Sequence, residues 1–159
     1  MHRALAWGAP ETALTRSQWV PGEVEAVAAF FAEPRNLQRI TPGWLGFHLM
    51  HMEPDEIRQG TLITYRMAWM GIPYRWRTLI EAWQPGRSFV DLQVNGPYIL
   101  WRHTHTFEAE GAGVRLRDEV RYRVPFGPIG VILHRLMIRR QVEGIFDYRV
   151  ARIREIFAG

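Results

Sequence analysis

Ile99-Leu100-Trp101-Arg102-His103-Thr104-His105-Thr106-Phe107-Glu108, followed after Ala109-Glu110 by Gly111-Ala112-Gly113 and then Val114-Arg115-Leu116-Arg117-Asp118-Glu119-Val120-Arg121-Tyr122-Arg123-Val124, is the stretch that decides the fold. It reads as one β-hairpin. Alternate side chains of a strand point to opposite faces. One face therefore carries Trp101, His103, His105 and Phe107, answered by Leu116, Asp118, Val120 and Tyr122. The other carries the arginines, threonines and glutamates. With Gly111-Ala112 as a two-residue loop, His105 falls opposite Asp118 and Glu108 opposite Arg115. The apolar face thus holds two imidazoles and a carboxylate. Buried polar groups require partners, so this face is either the wall of a ligand cavity or the seat of a closed hydrogen-bonded pair.

Working outward, turn residues divide the chain into a series of short elements. Residues 11–20 form a first strand, residues 23–32 a helix after Pro21-Gly22, and residues 35–40 a second short helix. Strands follow over 45–53, 60–70, 73–84 and 87–94. The third and fourth pair around Gly71-Ile72, which sets Ile63 against Ile80, Tyr65 against Thr78, Met67 against Trp76 and Trp69 against Tyr74. Pairing back across Pro85-Gly86 turns Asp91 and Gln93 inward. Pairing forward through an even loop turns Val90 and Leu92 inward instead, and a bulge decides between them. Residues 128–157 form a long amphipathic helix whose stripe includes Ile129, Ile132, Leu133, Leu136, Val142, Ile145, Phe146, Val150, Ile153 and Phe157. Gly144 interrupts it, as a close approach to sheet or ligand would explain. Strand, two short helices, six strands and a terminal helix make an α+β order, with the helix covering the apolar face of the sheet.

Composition agrees. The 159 residues are 47% apolar and 13% aromatic, enough for one domain with a substantial core. Residues 1–10 read as a flexible leader without a secretory pattern. The absence of cysteine excludes disulfides and thiolate metal sites, and no apolar run reaches the roughly 18 residues of a membrane span. A cytoplasmic location is expected. All 20 basic residues are arginine, yet the net charge is only +4 because acids are interspersed. Outer-face arginines beside Glu81, Glu108 and Glu119, without an exposed aromatic ladder, do not suggest nucleic acid. They allow transient contact with an anionic membrane surface.

Several stretches carry a resemblance that covers residues 19–157. They are Trp76-Arg77-Thr78-Leu79-Ile80-Glu81-Ala82-Trp83, the run from Pro85-Gly86-Arg87 through Asn95-Gly96-Pro97, Trp101-Arg102-His103-Thr104-His105-Thr106-Phe107, Asp118-Glu119-Val120-Arg121-Tyr122, Pro125-Phe126-Gly127 and Ile145-Phe146-Asp147-Tyr148-Arg149. The chain resembles the START/Bet v 1 (SRPBCC) superfamily, nearest its bacterial ligand-binding group related to polyketide cyclases. The resemblance implies a helix-grip fold, in which a seven-stranded sheet wraps a long C-terminal helix, with a mostly apolar cavity between them. It also implies a small hydrophobic molecule or lipid as partner; no cofactor is expected.

Expected to line that cavity are Tyr65, Met67, Trp76, Thr78, Asp91, Gln93, Trp101, His103, His105, Asp118, Tyr122 and Phe146, with Met50, Met52, Met70 and Met137 as adaptable lining. Two functions fit. One is a carrier of a hydrophobic or aromatic ligand. The other is a cyclase or hydrolase acting on a polyketide-like or ester substrate, with His105 as general base and Asp118 as its orienter. No serine or cysteine is paired with either histidine, so covalent catalysis has no support. His103, His105 and Asp118 match a metal donor set in type, but no fourth donor is evident and no metal is expected.

Overall fold

The computed structural model describes residues 9–159. Seven strands, β1 (Thr12–Pro21), β2 (His48–Glu53), β3 (Leu62–Trp69), β4 (Ile72–Gln84), β5 (Ser88–Asn95), β6 (Leu100–Glu110) and β7 (Gly113–Arg123), form one antiparallel sheet in the order β1-β7-β6-β5-β4-β3-β2. Between β1 and β2 lie α1 (Val24–Ala32) and two 3-10 turns, Pro34–Ile40 and Gly43–Leu45. The chain closes with α2 (Gly127–Leu133), a π turn (His134–Ile138) and α3 (Arg139–Phe157), which run on without a break. None of the described helices is long and apolar enough to cross a membrane. The expected flexible leader falls mainly on residues 1–8, outside the described residues, whereas Ala9 is buried and donates its N–H to the Val124 carbonyl at 3.0 Å.

The hairpin of β6 and β7 has the register read from its loop. His105 faces Asp118, and the inward residues from His103 to Phe107 and from Leu116 to Tyr122 are buried. The turn between β3 and β4 differs from expectation. Its loop is Met70-Gly71, both with positive φ (50° and 80°), the conformation that matches the twist of paired strands. Tyr65 therefore faces Trp76 and Ile63 faces Thr78. The shift is two residues, so no side chain changes face.

A bulge between Ile80 and Ala82 settles the β4–β5 register, with Thr78 opposite Gln93 and Ile80 opposite Asp91. On its other side β5 sets Asp91 opposite His103 and Phe89 opposite His105. The even-loop alternative, with Val90 and Leu92 inside, does not occur. Its physical obstacle is Gln93, whose side chain donates to the Tyr98 carbonyl (2.7 Å) and accepts from the Tyr98 N–H (3.3 Å), bracing an odd connection.

α1 buries Val27, Ala28 and Phe31 against Phe107, Val114 and Leu116, closing one end of the sheet together with Ile153. α3 presents Val142, Phe146, Arg149 and Ile153 to the sheet. The expected continuous stripe fails before it. Ile129, Ile132 and Leu136 are 65%, 57% and 71% exposed. A π turn adds about one residue to a helical turn and so rotates what precedes it. α2 turns Gly127 and Gly130 inward instead, and a side chain at Gly130 would run into the Pro125 carbonyl oxygen. Gly144 also departs from expectation: it is exposed, with open space where a Cβ would stand.

On the outer face the arginines meet acids: Arg102 with Glu81 (2.7 Å), Arg121 with Glu11 (3.1 Å) and Arg115 with Glu110 (2.8 Å). Glu108 and Arg115 do face each other across the ladder, but the guanidinium reaches diagonally across to Glu110, two residues further along β6.

Candidate functional site

Between the inner face of the sheet and the terminal helix lies a cavity of about 390 Å³. Tyr65, Met67, Trp76, Thr78, Asp91, Trp101, His103, His105 and Phe146 line it, as the inward faces of β3 to β6 and α3 require. Three expected residues do not. Gln93 is spent on the Tyr98 loop. Tyr122 is buried and engaged through its hydroxyl with His134 Nε2 at 2.8 Å. Asp118 sits beyond the histidines, bonded to both. Of the methionines, Met67 and Met137 reach the cavity, whereas Met50 and Met70 are exposed and Met52 packs beside Ile63 and Tyr65 without lining it.

Aromatic rings make most of the wall. Trp76 and Trp101 meet edge to face with centroids 5.3 Å apart, and Tyr98, which sequence reasoning missed, joins both. The indole N–H of Trp76 donates to Thr78 Oγ1 at 3.0 Å, so this polar atom enters the wall satisfied. At the mouth, Trp69 Nε1–H donates to Gln141 Oε1 at 3.0 Å, joining the β3 end to the helix beside Leu133 and Met137.

At the inner end four ionisable side chains come together. His105 Nε2 lies 2.8 Å from Asp91 Oδ2, and its Nδ1 lies 3.1 Å from Asp118 Oδ1. His103 Nε2 approaches the same Asp118 oxygen at 2.8 Å, while its Nδ1 is 3.9 Å from Asp91 Oδ2, beyond hydrogen-bonding distance. Phe89 stacks on His105 at 4.1 Å, and the two imidazoles lie 3.7 Å apart.

Burial opposes charge on every member, yet the pairings decide. Desolvation pushes Asp118 up, but the hydrogen bonds from His103 and His105 hold it far below the usual carboxylate range. Asp91 is likewise lowered against its burial by the charges of His103 and His105, the hydrogen bond from His105 and the charge of Arg149. Burial works against protonation of His105, but hydrogen bonds to Asp118 and Asp91 raise it above the ordinary value. His103 is lowered by burial and by the neighbouring His105 charge. The consistent state is an imidazolium at His105, donating from both nitrogens to two carboxylates. His103 is then neutral, donating from Nε2 to Asp118 and leaving the Nδ1 lone pair open.

Arg149 completes the inner end and was not foreseen. It lines the cavity and is only 9% exposed, and its guanidinium lies 5.0 Å over the Phe146 ring. Among the described residues its Nε has no hydrogen-bond partner, and no carboxylate lies within 4.0 Å of the side chain. The sequence did hold a signal. Arg149 stands three residues after Phe146 and four before Ile153, on the face that α3 turns to the sheet.

The sheet order, the two-part helix after it and the cavity between them define the helix-grip architecture of START/Bet v 1-like (SRPBCC) proteins. Solved structures share that fold. Protein Ms6760 from Mycobacterium smegmatis superposes with a TM-score of 0.64 at 16% identity, over 95% of this chain and 98% of that one. The di-domain ARO/CYC StfQ of the steffimycin biosynthetic pathway gives 0.71 at 12% identity over 93% of this chain, which spans 51% of StfQ. Ginseng major latex-like protein 151 from Panax ginseng gives 0.61 at 9% identity, over 94% and 99%. At such identities the likeness is one of fold. No family model matches the sequence, and no curated protein matches it.

Proposed function

We propose that this protein binds or carries a small, mostly apolar molecule that bears one acidic group, held between the sheet and the terminal helix. The observation that carries the reading is Arg149, a buried guanidinium with no carboxylate within salt-bridge distance among the described residues, at the inner end of an aromatic-walled space of about 390 Å³. A space of that size lies within the range of sites for drug-sized ligands. A planar guanidinium there suits a carboxylate, sulfonate or phosphate. The fold, shared with proteins of several chemistries, is compatible with the reading but does not select it.

Acid–base turnover with His105 as base draws less support. Asp118 does touch His105, as that reading requires, but Asp91 occupies the nitrogen that a substrate would need.

The test uses two fluorescent probes of similar shape, anionic 8-anilinonaphthalene-1-sulfonate and neutral N-phenyl-1-naphthylamine. The protein is expected to bind the sulfonate more tightly. A hydrogen bond to a charged group contributes about 1.5–3 kcal/mol, so Arg149→Met is expected to weaken the sulfonate roughly 10- to 100-fold and leave the neutral probe nearly unchanged. Native mass spectrometry of freshly purified protein reports any co-purifying acid. Failure of both probes to bind, or an equal loss of both in the variant, overturns the reading.

A further inference from the structure

We propose that His103, His105 and Asp91 form a binding site for one first-row divalent metal ion, with Asp118 as the carboxylate that orients both imidazoles from behind. The residues stand on two adjacent strands, Asp91 on β5 directly opposite His103 on β6, with His105 two positions along. One donor atom from each lies within 4.8 Å of the other two. His105 Nε2 and Asp91 Oδ2 are already 2.8 Å apart, and His103 Nδ1 is 3.9 Å from that same oxygen. A small side-chain rotation draws such a set onto a cation at the roughly 2.0–2.2 Å of imidazole and carboxylate ligation.

What separates this cluster from an ordinary buried ion pair is the other side of each ring. His103 Nε2 and His105 Nδ1 both meet Asp118 Oδ1, at 2.8 and 3.1 Å. Metal-bound histidines characteristically give their second nitrogen to a carboxylate, which fixes the tautomer and the ring direction. Here a single carboxylate does this for both, and it aims His103 Nδ1 and His105 Nε2 toward Asp91. Rigid strands hold every member, so the arrangement does not depend on a mobile loop. The sequence reading took Asp118 for the third donor and expected no metal because no fourth donor was evident. The observed β5 register supplies Asp91 for that place and leaves Asp118 free for the supporting one.

Two imidazoles and one carboxylate suit zinc, iron or cobalt in the divalent state, and the three donors leave further coordination positions. Asp91, His103 and His105 line the cavity whereas Asp118 does not, so those positions face the space where a bound molecule would lie. A cation there takes the place of the His105 proton and offers a Lewis-acidic contact to a ligand oxygen.

The inference does not rest on the identity of any organic ligand, and its test uses metal alone. Protein treated with chelator is titrated with Co²⁺ and followed by visible absorption and calorimetry. One ion per chain is expected, with ligand-field bands that are absent in Asp91→Ala and His103→Ala. Asp118→Asn is expected to keep the bands while weakening affinity about 10- to 100-fold. Replacing the exposed His48 and His51 by alanine should change nothing. Circular dichroism checks that each variant folds, and if His103→Ala does not fold, Asp91→Ala decides. Absence of bands in the wild type, or equal binding by wild type and Asp91→Ala, overturns the proposal, whichever way the probe experiment on Arg149 has come out.

Discussion

Asp118→Asn isolates what holds the inner cluster together. Asparagine keeps the shape of the side chain and an oxygen able to accept from both histidines, but it removes the charge. Asp118 is 8% exposed and accepts at 2.8 and 3.1 Å, from His103 and His105 respectively. A hydrogen bond to a charged group contributes about 1.5–3 kcal/mol against about 0.5–1.5 for a neutral one. Downgrading two such bonds therefore costs about 2–3 kcal/mol. That stays below the roughly 3–5 kcal/mol of deleting one partner of a buried pair outright. Against a total stability of roughly 5–15 kcal/mol, the loss is large. It corresponds to a melting temperature lower by about 4–12 °C in a domain of this size. Urea unfolding of metal-free protein measures it. The internal control is Glu110→Gln, which breaks an ion pair with Arg115 that is equally short, 2.8 Å, but lies between side chains 40% and 51% exposed. Exposed pairs contribute about 1 kcal/mol or less. Equal losses in the two variants would refute the argument that burial gives Asp118 its weight.

Gly144→Ala is expected to stabilise by about 0.5–1 kcal/mol, because the position is an exposed helix interior with room for a methyl group; a drop in the urea midpoint would show hidden packing there. The pH dependence of stability should carry a contribution from His134, whose pKa burial pushes down, with Arg139 and Arg135 adding to the effect. A lowered histidine contributes stability that is fully present above its unfolded value, near 6.5, and is lost as pH falls through the folded value. Between pH 7 and pH 5 the wild type should therefore lose more stability than His134→Gln, and parallel curves would contradict the assignment.

The fold was legible because its decisive hairpin is governed by local rules. Gly111 accepts a positive φ of 62°, the two-residue loop fixes the pairing, and alternation then places His103, His105 and Asp118 without further information. The neighbouring turn was less legible because Met70, a residue type with no preference for the left-handed region, takes it at φ 50°. Asp91 was legible only as one of two alternatives, inward by pairing back across Pro85-Gly86 and outward by pairing forward. Its face is set jointly by a bulge in β4 and by the Gln93 brace on Tyr98, two features that the turn residues alone do not spell out. The helix misled in a different way. A periodicity of 3.6 has no place for a π turn, so Ile129, Ile132 and Leu136 were counted inside. Arg149, by contrast, stood at a readable inward position and was passed over because it is charged. That its charge should be buried becomes intelligible only beside a cavity.

The outward turn of α2 has a consequence for passage into the interior. A segment whose large side chains face water gains little from staying docked, so the free energy keeping residues 127–138 in place is small compared with that securing residues 139–157. The doorway beside Leu133 and Met137 is therefore framed by the most weakly anchored stretch of the terminal helix. A ligand held as proposed would enter and leave where that end opens, while the strands and the inner quartet stay undisturbed.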